Sequence, residues 1–406
     1  MSKVANIGRL ANHTIFISGA SRGIGLEIAK KAAADGANII VAAKTAEAHP
    51  KLPGTIYTAA DEIEKAGGKA LPLIVDIRDE KNVADAVAQA VKEFGGLDAC
   101  INNASAISLT GTLETPMKRY DLMHSINGRG TFVVSQACLP HLLESRQAGR
   151  TPHIINNSPP LDMRPIWFQG HVAYTMAKYN MSLCALGMAA EFQGQVAVNC
   201  IWPKTAIWTA AMEMLGGEDS AGKSRTPQIM ADTAYSVLCQ DIDFTGNFVV
   251  DDEHLAKHHG ITDFSSYQCD PTVPESELTL DFFLPSYTPE QVDFGTDSNY
   301  FAASSSGGGN QTQVIVQKIA EKMPSLAGKG KGVCRLEVVD VVTMELDLLN
   351  GKFSTEPDAV VSPLATLTCT EENFLAMASG ALDPTKAFMT QKLKIKGDMT
   401  MGKLIF

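Results

Sequence analysis

Basic side chains nearly vanish between residues 241 and 300, where Lys257 stands alone against 13 acidic residues. Over the 406-residue chain, 34 Lys and Arg face 45 Asp and Glu, a net charge of −11. Residues 1–240 are near balance, with 22 basic and 21 acidic side chains, so the deficit belongs to that middle stretch. An acidic balance argues against a general binder of nucleic acid or of an anionic membrane surface. Long apolar runs are also missing: none approaches the 18 or so residues of a membrane span, so no integral membrane contact is expected. The eight cysteines include no CxxC pair, and most sit in apolar surroundings such as Leu97-Asp98-Ala99-Cys100-Ile101. Free buried thiols in a reducing compartment are the simplest expectation. Met1-Ser2-Lys3-Val4-Ala5-Asn6 lacks the apolar core of a secretory signal, and Lys403-Leu404-Ile405-Phe406 is not the peroxisomal tripeptide.

Apolar residues make up 45% of the chain and charged ones 19%, which excludes a wholly disordered protein and allows two or three domains. Residues 13–240 alternate β-branched runs with helical patterns. Thr14-Ile15-Phe16-Ile17-Ser18 leads to a helix from Gly25. Further strands are expected at Asn38–Ala42, Leu71–Val75, Ala99–Asn102, His153–Asn156 and Val196–Ile201, with helices between them. Such alternation predicts an α/β domain with a parallel, doubly wound sheet. The first domain is expected over 1–267. Prolines 271, 274, 285 and 289, the acids and Ser304-Ser305-Ser306-Gly307-Gly308-Gly309 predict a linker over 268–310. An α+β unit follows over 311–406.

Gly19-Ala20-Ser21-Arg22-Gly23-Ile24-Gly25 directly follows the first strand and opens a helix. Glycines let the backbone turn tightly beside a pyrophosphate, and the N–H groups and dipole of the helix favour that anion. After the second strand, Ala42-Ala43-Lys44-Thr45 offers a lysine where a carboxylate would repel a 2′-phosphate. Lys44 with Arg22 therefore predicts NADP(H) over NAD(H), unless Lys44 is an ordinary surface lysine. Asp76 ends the third strand, either to accept from an adenine amino group or to cap the next helix. Tyr174-Thr175-Met176-Ala177-Lys178 places a phenol and an ammonium on one helix face. A cation near the phenol favours its phenolate, so the pair can pass a proton to or from a carbonyl oxygen while hydride moves at carbon.

These motifs resemble the short-chain dehydrogenase/reductase family, whose members have a Rossmann-like sheet and a Ser-Tyr-Lys-Asn catalytic set. Gly19, Gly23 and Gly25 match its glycine turn, and Asn102-Asn103-Ala104 its fourth-strand motif, with Ser105 where a glycine is usual. The resemblance implies that Tyr174 and Lys178 are the catalytic pair and that Asn127 is the proton-relay asparagine. It assigns Asn103 and Lys178 to the cofactor as well. Asn156-Asn157-Ser158-Pro159-Pro160 matches the strand end where the family often has two serines. Pro159 takes the place of the usual catalytic one, leaving Ser158 either to polarise the carbonyl or simply to start a loop. Lys204 replaces the usual glycine after Pro203.

Near the C-terminus, Phe374, Met377, Phe388, Met389, Met399 and Met401 supply adaptable apolar surface, suited to acyl chains or to filling a core. Lys392, Lys394 and Lys396 alternate on one strand face. Gly380, Pro384, Ala387-Phe388-Met389 and Lys392-Leu393-Lys394-Ile395-Lys396-Gly397 resemble the sterol-carrier-protein type of lipid-transfer domain. That resemblance implies a five-stranded sheet with helices around a tunnel for fatty acids, acyl-CoAs or sterols, here with a shortened C-terminal helix. The two modules in this order resemble the hydroxysteroid dehydrogenase-like protein 2 family, with support from His49-Pro50-Lys51-Leu52 and Trp202-Pro203-Lys204-Thr205-Ala206.

The expectation is an NADP(H)-dependent oxidoreductase acting on a lipid-like carbonyl or alcohol. The alternative is a non-catalytic lipid-binding protein with a cofactor-binding scaffold. Family resemblance implies a homo-oligomer and a peroxisomal or mitochondrial location, with the cytoplasm left open. No metal is expected: His254, His258 and His259 read as a solvated helix. Trp167, Trp202 and Trp208 either line a substrate pocket or pack.

Overall fold

The structure is a computed structural model. It describes residues 2–48 and 53–285, and within the second half 315–316, 319–320, 323–324, 332–339, 341–355, 362–378, 382 and 384–397. The chain divides into two compact units, Met1–Ser304 and Ser305–Phe406.

Seven strands form the first sheet: β1 (Thr14–Ser18), β2 (Asn38–Ala43), β3 (Lys69–Ile74), β4 (Ala99–Asn102), β5 (His153–Asn157), β6 (Ala197–Trp202) and β7 (Phe248–Val250). Their order is β3-β2-β1-β4-β5-β6-β7, all parallel. Strands β1, β2, β4, β5 and β6 are buried from end to end. Helices cover both faces, which explains why the apolar residues of these strands cluster rather than alternate. Along β1, Ile15 and Ile17 face one layer with Ile28 of α1 (Gly23–Ala33) and Ile63 of α2 (Ile56–Lys65). Phe16 faces the other, with Val83 of α3 (Glu80–Phe94).

Helix α4 (Met117–Met123) continues as a π-helix over His124–Gly130 into α5 (Thr131–Gln147). After β5 come α6 (Val172–Glu191), α7 (Ala210–Gly216), α8 (Gln228–Leu238) and α9 (Asp251–His259). The strand order reverses direction between β1 and β4, and such a switch point opens a crevice at the carboxyl ends of the strands.

The first part of the expected linker is folded. Residues 268–285 lie on the first unit: Arg225 bridges to Gln268, Thr205 bridges to Leu280, and Leu278, Phe283 and Leu284 are buried. Apolar side chains set among prolines and acids anchor this stretch, and average composition conceals them. The rest of that linker, 286–310, lies outside the described residues.

The second unit contains a five-stranded sheet of β8 (Val333–Val338), β9 (Val342–Asp347), β10 (Lys352–Ser354), β11 (Ala365–Cys369) and β12 (Leu393–Gly397), in the order β10-β9-β8-β11-β12. β8 and β11 run parallel and the other neighbours antiparallel. Here burial alternates along β8, β9 and β11, because one face packs more deeply than the other. Cys334, Leu336, Met344, Leu346, Leu367 and Leu393 join Phe374 and Met377 of α10 (Glu371–Ala378) and Ala387 of α11 (Pro384–Met389) in one core. Lys392, Lys394 and Lys396 are exposed, and Phe374 and Met377 fill that core. Gly380, Met399 and Met401 lie outside the described residues.

Candidate active site

A cavity of about 880 Å³ opens at the switch point, within the size range of small-molecule sites. Gly19, Ser21, Arg22, Gly23 and Ile24 line it, whereas Ala20 and Gly25 do not. Gly19 and Gly23 have φ of 71° and 58°, a conformation that favours glycine. Gly25 is needed for a different reason. A Cβ there would lie 2.6 Å from both Asn103 Nδ2 and Gly19 O. Its bareness lets Asn103 reach in and donate to the carbonyls of Ser18 (3.3 Å) and Gly19 (3.2 Å). No side chain caps α1 at Arg22, so the first N–H groups of this helix remain available to an anion. Arg22 Nη2 donates to Gly54 O at 2.9 Å, while its buried Nε has no partner among the described residues. The uncapped helix, the glycine turn and the orphaned guanidinium nitrogen fit a dinucleotide phosphate.

Beside the glycine turn, after the neighbouring strands β2 and β3, Lys44 Nζ pairs with Asp76 Oδ2 at 3.1 Å, and Arg78 Nη2 with the same oxygen at 2.6 Å. Arg78, and then Lys44, hold the Asp76 carboxyl well below the usual carboxylate range. Asp76 does not cap α3. Asp79 does, accepting from Lys81 N and Asn82 N.

Tyr174 and Lys178 of α6 both line the cavity, and both are buried. Lys178 Nζ donates to Asn157 O at the end of β5 (2.7 Å) and lies 5.1 Å from the centre of the Trp202 ring. Burial pushes this ammonium down to about 8, while the charge of Asp281 pulls the other way. Asn127 sits in the π-helix and does not line the cavity. Its side chain accepts from Ala106 N (2.8 Å) and donates to Ala106 O (3.0 Å), fixing the loop that follows β4. That loop supplies Ala104, Ser105, Ile107 and Leu109 to the wall.

Of the two readings of Ser158, its placement favours the one in which it starts a loop. Ser158 is fully buried, and its hydroxyl donates to Cys200 Sγ at 3.2 Å rather than lining the cavity. Side chains alternate at the end of a strand, and Asn157 is the one turned toward the site. Its Nδ2 donates to Asn103 Oδ1 at 3.1 Å. Lys204 is also taken up elsewhere. Its ammonium pairs with Asp252 at 3.0 Å, beside the buried Arg225 that holds Asp252 and Glu275.

Two lining residues, Asp281 and Phe282, come from the 268–285 stretch. Trp202 Nε1 donates to Phe282 O at 2.8 Å. Phe283 lies among the rings of Trp167, His171, Tyr174, Tyr179 and Trp202. Trp202 and Trp208 line the cavity, whereas Trp167 packs in the core. No motif marked Asp281; the only signal was the apolar run Phe282-Phe283-Leu284 in an acidic stretch. His254 and His259 both meet Ser236 Oγ, at 2.9 and 2.7 Å. Among the described residues no group of His, Cys, Asp and Glu is placed to hold a metal, and no helix is long and apolar enough to cross a membrane.

Comparison with known proteins agrees with both units. The short chain dehydrogenase family is matched over residues 13–216 and the SCP-2 sterol transfer family over 313–405. Hydroxysteroid dehydrogenase-like protein 2 of Xenopus tropicalis is 51% identical over 415 residues, spanning 98% of this chain and 96% of that protein. The Homo sapiens protein of the same name is 49% identical over 416 residues, with the same two coverages. The crystal structure of a short chain dehydrogenase from Mycobacterium thermoresistibile matches with a TM-score of 0.63 and 51% identity. It covers 69% of this chain and 99% of that one.

Proposed function

The chain belongs to the short chain dehydrogenase family, in its hydroxysteroid dehydrogenase-like protein 2 group, and from that premise we propose that it interconverts a carbonyl and an alcohol on a lipid-like substrate with NADP(H). The observation that carries this reading is the placement of Tyr174 and Lys178 in one cavity with the uncapped N-terminus of α1. A bound nicotinamide would supply or take up the hydride. Tyr174 gives its hydroxyl proton to the substrate oxygen in reduction and recovers one in oxidation. Lys178, anchored on the Asn157 carbonyl, holds positive charge beside the phenol and eases its ionisation. Phe282 and Trp202 keep water away from the reacting oxygen.

Preference for NADP(H) is supported by charge. Lys44 and Arg78 meet at the Asp76 carboxylate, Arg22 of the glycine turn lines the same cavity as Lys44, and cations so placed suit a 2′-phosphate. The SCP-2 sterol transfer unit supports a lipid-like substrate, held or delivered by that unit. Exposed Phe132 on α5 and Met176, Leu183 and Leu186 on α6 support assembly into a homo-oligomer. The direct test is to mix the full chain with NADPH or NADH and a panel of fatty aldehydes and ketosteroids, and to follow nicotinamide absorbance. Oxidation of NADPH by at least one lipid carbonyl is expected. No turnover with either nucleotide would favour a second reading, a lipid-binding protein with a cofactor-binding scaffold, to which the turned-away Ser158 also lends weight.

A further inference from the structure

Polarising a carbonyl calls for a second hydrogen bond to its oxygen beside the proton donor. The serine expected for that task is committed to Cys200, and Pro159, which follows it, has no hydroxyl. Asp281 lines the same cavity as Tyr174 and Lys178. Its backbone is fixed, because Asp281 N donates to Lys204 O at 2.9 Å and the adjacent Leu280 bridges to Thr205. Carboxyl Oδ1 accepts from Phe282 N at 2.7 Å. Oδ2 has no hydrogen-bond partner among the described residues. Asp281 and Lys178 act on each other electrostatically without an ion pair of 4.0 Å or less. A carboxyl with one oxygen tied down and the other unclaimed therefore stands at the wall of the site.

We propose that Asp281 hydrogen-bonds the substrate oxygen beside Tyr174, filling the role that the displaced serine leaves open. The proposal rests on the oxidoreductase reading above. In reduction, hydride from the reduced nicotinamide adds to the carbonyl carbon and Tyr174 gives its proton to the oxygen, completing the alcohol. Asp281 shares a proton with that oxygen but keeps it throughout, and solvent returns the proton that Tyr174 has lost. A neutral carboxyl is the form suited to donating, and the partial burial of Asp281 in the cavity wall favours that form. The titratable groups around Asp281 are Tyr174 and Lys178 of α6, Asp251 at the start of α9, and Lys204, whose ammonium is held by Asp252. Burial pushes the carboxyl up to about 7, with Asp251 acting in the same direction and the Phe282 N–H and Lys178 against it. The donating form therefore prevails below that pH and is lost above it.

The test uses the full chain and the variants Asp281→Leu and Asp281→Asn. Asp281→Leu removes the donor and should lower kcat/KM for reduction by on the order of 10²–10³, as loss of an oxyanion donor does. Dinucleotide affinity should hold, which also shows that the variant is folded. Asp281→Asn keeps an N–H donor that does not titrate. It should lose less than about tenfold and should flatten the decline in kcat/KM near pH 7. Carbon-13 NMR of aspartate-labelled protein, with the Asp281 signal identified by its loss in Asp281→Asn, should show a midpoint near 7. Parental kcat/KM in Asp281→Leu, equal damage in both variants, or a midpoint in the ordinary carboxylate range would each overturn the proposal. A parent that turns over no carbonyl would overturn the oxidoreductase reading and this proposal with it. An active parent indifferent to Asp281→Leu would overturn the proposal alone.

Discussion

The ring of Phe283 lies 6.3 Å from that of Tyr174, centroid to centroid, at an interplanar angle of 38°. A fully buried side chain from the 268–285 stretch thus backs the residue at the centre of the proposed chemistry. Truncating it by Phe283→Ala should cost about 3–5 kcal/mol, the usual penalty for emptying a buried aromatic site. Chemical denaturation of the first unit is the measurement. A loss below about 1 kcal/mol would mean that this packing is incidental.

Tyr174→Phe keeps the ring and its contacts but removes the proton donor. Turnover should fall by on the order of 10² or more while dinucleotide binding persists. Full activity of the variant on every substrate the parent reduces would refute the role given to Tyr174.

Lys44→Glu replaces the cation beside Asp76 with a second negative charge. NADP(H) affinity should drop and NAD(H) affinity should hold or rise, with the parental preference weakening as salt is added. Titration calorimetry with both nucleotides gives the answer. Equal parental affinities for the two would sink the assignment.

Ser158→Ala removes a hydroxyl that faces Cys200 and not the cavity. The expected result is turnover within a few-fold of the parent. A stability cost of about 1 kcal/mol is expected from the lost hydrogen bond. A hundredfold loss of turnover at unchanged stability would restore the serine to the chemistry.

Lys178 should set an alkaline limb of its own. Burial lowers this ammonium to about 8, so its charge is present below that pH and disappears as pH rises through it. In the Asp281→Asn background, where the carboxyl no longer titrates, kcat/KM for reduction should therefore stay level through pH 7 and decline near 8. A profile flat to pH 10 would show that the charge of Lys178 is dispensable.

Much of the first sheet was legible because β1, β2, β4, β5 and β6 are buried on both faces and so carry clustered apolar residues such as Ile15-Phe16-Ile17 and Ile39-Ile40-Val41 without alternation. The glycine turn and the Tyr174–Lys178 spacing were legible because their geometry is local, set by one turn or one helix. Ser158 and Asp281 were not. Which of Asn157 and Ser158 faces the cavity depends on the pleat at the end of β5, where a shift of one residue exchanges the two faces. The partner that claims Ser158 comes from the neighbouring strand, β6, in which Cys200 lies beside Asn156. Asp281 reaches the site through tertiary packing alone, from a segment whose acids and prolines resemble a linker.

The π-helix at His124–Gly130 makes residue count matter as much as residue identity. Asn127 clasps both polar groups of Ala106 from inside this stretch, and α5 emerges from it with Val134, Cys138 and Leu142 turned onto the sheet. Successive residues of an α-helix are rotated by about 100°. Removing one residue from the wide turns would swing α5 by roughly that angle relative to Asn127, lifting the apolar stripe from the sheet or pulling the clasp off the loop. The stretch is a spacer of fixed length, holding the phase between a helix that packs and a side chain that positions.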